Sequence, residues 1–193
     1  MARAAKTFTH DQELAFVDAA NPHQWLLTAI SLHDQAVTLW RNQGRALTTL
    51  KRPGQPDETW DDTNRATFLL AAFAMENMLK ALLIYENPAF VAGGRLTEVA
   101  SHDLAKLAVR SSLVPYQTRD NWVFEALSEG NLSWARYPCG RDADDVRPEG
   151  QFTVDLWVKY CAMMGAYANK LRKLLTKGWT GPYGHHGTWE FTD

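Results

Sequence analysis

Glu76 and Lys80 are the residues of this sequence whose types and spacing most invite chemistry. They lie four apart with the acid first, the favourable order for an ion pair on one helix face. They also interrupt an apolar run. Phe68 to Met75 reads FLLAAFAM, and Ala81-Leu82-Leu83-Ile84 restores the pattern after the break. Charge inside a helix that is apolar on every side costs free energy unless it is paired or reaches water. Two readings follow. Either the pair ties a helix to its neighbours at the edge of a bundle, or Glu76, Asn77 and Lys80 cut a polar pocket between helices. In the second reading Lys80 supplies positive charge for an anion such as a nucleotide phosphate. Glu76 then fixes Lys80 rather than acting as a base.

Further along, His102-Asp103-Leu104 and Arg136-Tyr137-Pro138 carry the next candidate groups. At a helix start, His102 is polarised toward its neutral form by the helix dipole, and the bland alternative has its ring bonded to a neighbouring loop. Asp103 reads as a first-turn charge rather than a catalytic base. Arg136 is the best candidate for an anion contact, with Tyr137 beside it; otherwise the two tie a loop onto the bundle. Lys170, Lys173 and Lys177 share one helical face, either complementing a helix C-terminus or forming a phosphate track.

Other chemistries lack their residues. His185-His186 has no Cys or carboxylate partners at usable spacing, so no metal site is expected. Glu-x-x-His motifs for a di-iron bundle, a Gly-rich phosphate loop and a Ser nucleophile elbow are all missing. No cofactor is expected. Cys139 and Cys161 form no C-x-x-C pair, which argues against structural zinc and for reduced thiols in the cytoplasm. A net charge of -2 and a pI near 6.3 exclude a generally basic nucleic-acid binder but leave room for a local patch.

The elements that must position these groups read as helices. Thr9 and Gln12 have capping-box spacing ahead of a short helix over 10–20. Asn21-Pro22 starts a second, with Trp25, Ala29, Leu32, Ala36, Leu39 and Gln43 as its inward stripe and Gly44 beyond its end. A Pro- and Gly-rich loop over 52–57 follows, and Asp61 or Asp62 can cap the long central helix, which stops before Asn87-Pro88. Ser101 can cap a shorter helix carrying Asp103 in its first turn. Thr118 can cap one that ends near Gly130. Residues 138–150 read as an exposed loop. Thr153 opens the last long helix, whose inward positions include Leu156, Tyr160, Met163, Met164, Tyr167, Leu171 and Leu174. No run alternates as a strand would.

The reading is one all-α domain over 1–193, an antiparallel helical bundle of about five helices. It has a mobile arm at 1–8 and an aromatic, Gly-rich tail at 179–193. The N-terminus lacks an apolar signal core, and the longest apolar run falls short of the roughly 20 residues that span a bilayer. A soluble, cytoplasmic chain without membrane association is therefore expected. Eight tryptophans suggest large aromatic anchors in a core, groove or subunit interface.

Taken together, Glu76-x-x-x-Lys80-Ala81-Leu82-Leu83, then His102-Asp103-Leu104-x-x-Leu107, then Arg136-Tyr137-Pro138 resemble HEPN domains, in order and spacing, over about residues 22–177. The resemblance implies an all-helical bundle that often dimerises. It also implies one of three roles: a metal-independent endoribonuclease, a non-catalytic partner of a small nucleotidyltransferase, or a nucleotide-binding module. The ribonuclease members carry Arg, then four to six residues, then His in a late helix. This chain offers Arg95-x6-His102 and Arg3-x6-His10, matches of a kind expected by chance, and its last long helix holds no His. The expectation is a non-catalytic module for a nucleotide, RNA or protein partner, working as a homodimer. Glu76, Lys80, His102, Arg136 and Tyr137 would line its ligand site. An endoribonuclease using Arg95 and His102 is the alternative, and a dimerisation scaffold is the third reading.

Overall fold

The structure, a computed structural model, describes residues 7–61, 63–114, 118–132 and 153–192, the side chains of Asn131 and Leu132 excepted. Six α-helices account for most of it: α1 (His10–Ala19), α2 (Pro22–Arg41), α3 (Thr63–Glu86), α4 (Leu104–Val109), α5 (Asn121–Leu132) and α6 (Val154–Leu175). The fold is mostly helical, as the periodicity predicts. Arg136, Tyr137, Cys139 and the predicted loop over 138–150 lie outside the described residues.

Most helix starts are where the capping residues put them. Thr9 and Gln12 form a complete capping box on α1. Asn21 Oδ1 accepts from the backbone N–H groups of His23 and Gln24, at 3.0 and 3.1 Å, with Pro22 in the first turn of α2. Asp61 accepts from both the backbone N–H and the hydroxyl of Thr63 and so opens α3. The Thr63 hydroxyl is the main reason that the Asp61 carboxyl titrates below its usual range, with the Gly44 N–H adding to it. Thr153 Oγ1 accepts from Leu156 N at the head of α6. Two boundaries differ from expectation. Asp103, not Ser101, is the N-cap of α4, while Ser101 Oγ accepts from Asp103 N one step earlier. Helix α5 also runs through Gly130 to Leu132, preceded by a single 3₁₀ turn at Thr118–Asp120.

Helix α3 is the axis of the core, with Phe68, Met75, Met78, Leu79, Leu82 and Ile84 fully enclosed by α2, α4, α5 and α6. By length and composition it is apolar enough to cross a membrane, which the run-length reading did not anticipate, yet 78% of its most apolar window is buried inside the bundle. Trp40 near the end of α2 meets Phe68 near the start of α3, and Trp25 near the start of α2 lies over Lys80. Those contacts make α2 antiparallel to α3. Phe68 against Trp157, and the Tyr85 hydroxyl on the Leu174 carbonyl, make α3 and α6 parallel. The bundle is therefore not purely up-and-down.

Two small strand pairs depart from the expectation of no sheet. Between α2 and α3, β1 (Leu47–Leu50) pairs antiparallel with β2 (Glu58–Asp61), Leu47 opposite Asp61 and Leu50 opposite Glu58. The predicted loop over 52–57 is its turn. Strands of four residues facing solvent on both sides leave no alternation to detect, so the hairpin was invisible to hydrophobic pattern. The tail forms β3 (Trp179–Thr180) and β4 (His186–Gly187) and folds back over one end of the bundle. There, the Trp179 Nε1–H donates to the Ile84 carbonyl, and Trp189 stacks on His23 at 5.3 Å. Gly181 and Gly187 lie directly against the Trp179 and Trp189 rings, where an added Cβ would sit 2.5 and 2.7 Å from ring carbons. Burial against this tail holds His23 below the usual imidazole range. At the other end of the sequence, Phe8 packs on Gly94.

Candidate functional site

The break in the apolar pattern of α3 is a closed ion pair. Lys80 Nζ lies 2.6 Å from Glu76 Oε1, and the two residues are only 6% and 5% exposed. Helical spacing brings the side chains together, and burial turns a weak surface interaction into a strong geometric constraint. The Trp25 ring of α2 lies over Lys80, its centroid 5.7 Å from Nζ, a cation–π contact that the stripe of α2 gave no reason to single out. Asn77 takes no part in the pairing: its side-chain amide donates to the Phe73 carbonyl of its own helix.

His102 completes the arrangement from the segment before α4. Its Nδ1 is 3.1 Å from Glu76 Oε1 and 3.0 Å from Oε2. A carboxylate only accepts, so Nδ1 carries the hydrogen of this contact. The ring itself stands outward, with its side chain 58% exposed. The anchor that aims it is local. Asp103 caps α4 through Lys106 N at 3.0 Å, and Ser128 Oγ of α5 accepts from Leu104 N at 2.9 Å. These bonds fix the backbone immediately after His102. The bond from Lys106 N is the main reason that the Asp103 carboxyl titrates below its usual range.

Three of the predicted site residues, Glu76, Lys80 and His102, are thus brought together from two segments. Glu76 does fix Lys80. The geometry differs from an open pocket: the opposite charges of the pair cancel within the helix, and what faces solvent is the His102 ring. Arg136 and Tyr137, predicted to join them, lie outside the described residues. Arg95 follows the 3₁₀ segment Pro88–Gly94, and its guanidinium lies over the Phe8 ring at 5.7 Å. Lys173 and Lys177 are exposed at the C-terminal end of α6. His185 packs edge-on against Trp179, and His186 Nδ1 is 3.0 Å from Thr180 Oγ1. Among the described residues no group of three or more His, Cys, Asp or Glu side chains could hold a metal ion. Cys161 is a half-buried free thiol, and burial pushes it up to about 11.

A second histidine pair escaped the sequence reading. His33 Nδ1 of α2 is 2.9 Å from the hydroxyl of Tyr160, a residue that periodicity marks only as core. Chemically, the first cluster offers a fixed, outward imidazole backed by a buried carboxylate, able to hydrogen-bond a ligand or pass a proton. Comparison with models of known protein families, with curated proteins and with solved structures finds no match in any of the three.

Proposed function

We propose that this chain is a non-catalytic, HEPN-like binding or regulatory module of the cytoplasm. Its partner is a nucleotide, an RNA or a protein such as a nucleotidyltransferase, and it works as a homodimer. The observation that carries this reading is the state of the Glu76–Lys80 pair. Its charges are spent on each other at 2.6 Å beneath the surface, while His102 is held outward on Glu76 as a recognition group. The endoribonuclease alternative needs an arginine beside that imidazole; the Arg95 guanidinium lies over the Phe8 ring at 5.7 Å. The sealing of the pair also favours the third reading, a dimerisation scaffold in which the cluster only ties α3 to the start of α4. Pairing of two copies is supported by α6, where Val154 and Val158, one turn apart, are 64% and 59% exposed.

Calorimetry with nucleotides and short single-stranded RNA, on wild type and His102→Ala, tests the module. Binding that weakens in the variant while its melting temperature holds supports it. Absence of binding by wild type leaves the scaffold, and light scattering at tens of micromolar, the range of ordinary interface strengths, then reads whether the chain is dimeric. Robust cleavage of RNA in the presence of a chelator, lost in His102→Ala, promotes the ribonuclease.

A further inference from the structure

Tyr160 is fully buried in α6, with its hydroxyl on His33 Nδ1. Burial raises the phenol well above its usual range and lowers His33, so the resting pair is a protonated phenol and a neutral imidazole. In the Nε2–H tautomer, Nδ1 accepts the phenolic hydrogen. Asp34, next to His33 on α2, acts the other way on the imidazole and favours its charged form.

Around this pair the rings form a column. Trp157, one turn before Tyr160, has its ring centroid 5.3 Å away. Trp40 stacks on Trp157 at 4.7 Å, only 13° from parallel, and Phe68 closes edge-on against both. Trp157 is buried and Trp40 half-buried, so the column leads from the edge of the core to Tyr160.

Losing one electron makes a phenol strongly acidic. A buried tyrosine is therefore oxidised readily only where a base takes its proton in the same step. Dense packing denies water that role, and a hydrogen-bonded neutral imidazole fills it. We propose that Tyr160 and His33 form a reversible one-electron redox pair, fed through Trp157 and Trp40, that draws oxidising equivalents away from the core.

The oxidant is a diffusible radical of the peroxide-derived class, and it takes one electron from Trp40. The electron deficit passes through Trp157 to Tyr160. There the phenolic O–H bond breaks and its proton forms an N–H bond on His33 Nδ1. The products are a neutral tyrosyl radical, an imidazolium beside Asp34 and the reduced oxidant. A small reductant of the ascorbate class returns one electron and loses its own proton to water, and His33 returns the phenolic proton through the same hydrogen bond.

The test is flash-quench oxidation of the full chain with a ruthenium polypyridyl sensitiser and a cobalt(III) quencher. Transient absorption and electron paramagnetic resonance read the radical. Wild type should give a long-lived tyrosyl radical that forms more slowly in deuterium oxide. Tyr160→Phe should abolish it. His33→Gln keeps a hydrogen-bonding side chain without a comparable base and should lower the yield severalfold. Trp40→Phe should delay its appearance. The chain has six tyrosines, one of them the exposed Tyr183. An unchanged yield in Tyr160→Phe, or formation with no solvent isotope effect, would overturn the proposal. If Tyr160→Phe does not fold, a fluorinated tyrosine incorporated at position 160 keeps the ring and the hydroxyl. An unaltered resonance spectrum in that protein would overturn it equally.

Discussion

Two lysine–carboxylate pairs flank His102, and they are the same chemistry in opposite surroundings. Lys80 meets Glu76 at 2.6 Å within α3, where both side chains are buried. Lys106 meets Asp103 at 3.0 Å at the start of α4, where the side chains are 77% and 38% exposed. Sequence spacing puts them in one class, four and three residues apart on a helix. Surroundings separate them. In the first, each charge has given up water and depends on its partner, Trp25 and His102 to replace it. In the second, water competes for both groups, and Asp103 matters through the backbone N–H that it caps. The buried pair holds the His102 ring directly through Glu76, whereas the exposed one acts on it only through the backbone that Asp103 caps.

Removing one member of the buried pair is expected to have the largest effect. Lys80→Met leaves the Glu76 carboxylate enclosed without its buried cation, and should cost about 3–5 kcal/mol of unfolding free energy. Replacing both, as Glu76→Leu with Lys80→Met, should recover much of that loss, because similar-sized apolar side chains suit the site once no charge is stranded. Urea unfolding of wild type, the single variant and the double variant measures this. If the single variant costs no more than about 1 kcal/mol, as exposed pairs do, then the pair is effectively hydrated and the contrast with Lys106 collapses.

Much of this contrast was hidden in the sequence, and for identifiable reasons. The i, i+4 spacing of Glu76 and Lys80 made the pairing legible, and the apolar residues around it made burial plausible. The caps Thr9, Asn21 and Thr153 were legible because a cap is a local hydrogen bond. The Trp25 contact was not, because Trp25 reaches Lys80 from another helix whose register no local rule supplies. His102 on Glu76 joins residues 26 apart in sequence, a contact set by how α3 and the α4 segment pack. The shift of the α4 cap from Ser101 to Asp103 reflects two residues of similar capping chemistry two positions apart, and the bond from Leu104 N to Ser128 Oγ favours the later start. The exposed hairpin and the tail have no amphipathic period at all, so their packing could not be read.

The next effect down concerns Asp103 as a cap. Asp103→Ala removes the acceptor for Lys106 N and should cost about 1 kcal/mol. The carboxyl titrates below its unfolded value, so its charged form favours the folded state. That contribution is present above the unfolded carboxylate pKa of about 3.9 and fades as pH falls through the lower folded value. Asp103→Asn keeps the cap and removes the titration. Its stability relative to wild type should therefore improve as the solution is acidified from neutral toward pH ~3. A constant difference across that range would mean that the charge contributes nothing beyond the hydrogen bond.

The smallest effect is the sharpest test of the contrast. Lys106→Met removes the cation of the exposed pair and leaves the Asp103 cap bond to the backbone intact. Its Nζ stands in water on a long side chain, so the pair gains little Coulomb energy and loses side-chain entropy. The expected cost is at most about 0.5 kcal/mol. Salt should erase it, since at ~1 M the screening length falls to about 3 Å, the separation of the charges themselves. The same salt should leave most of the Lys80→Met deficit in place, because ions do not enter the space between Glu76 and Lys80. Paired urea titrations at low and high salt compare the two lysines within one protein. Equal salt sensitivity of the two deficits would show that burial does not distinguish the pairs, and that His102 rests on a hydrated, adjustable anchor.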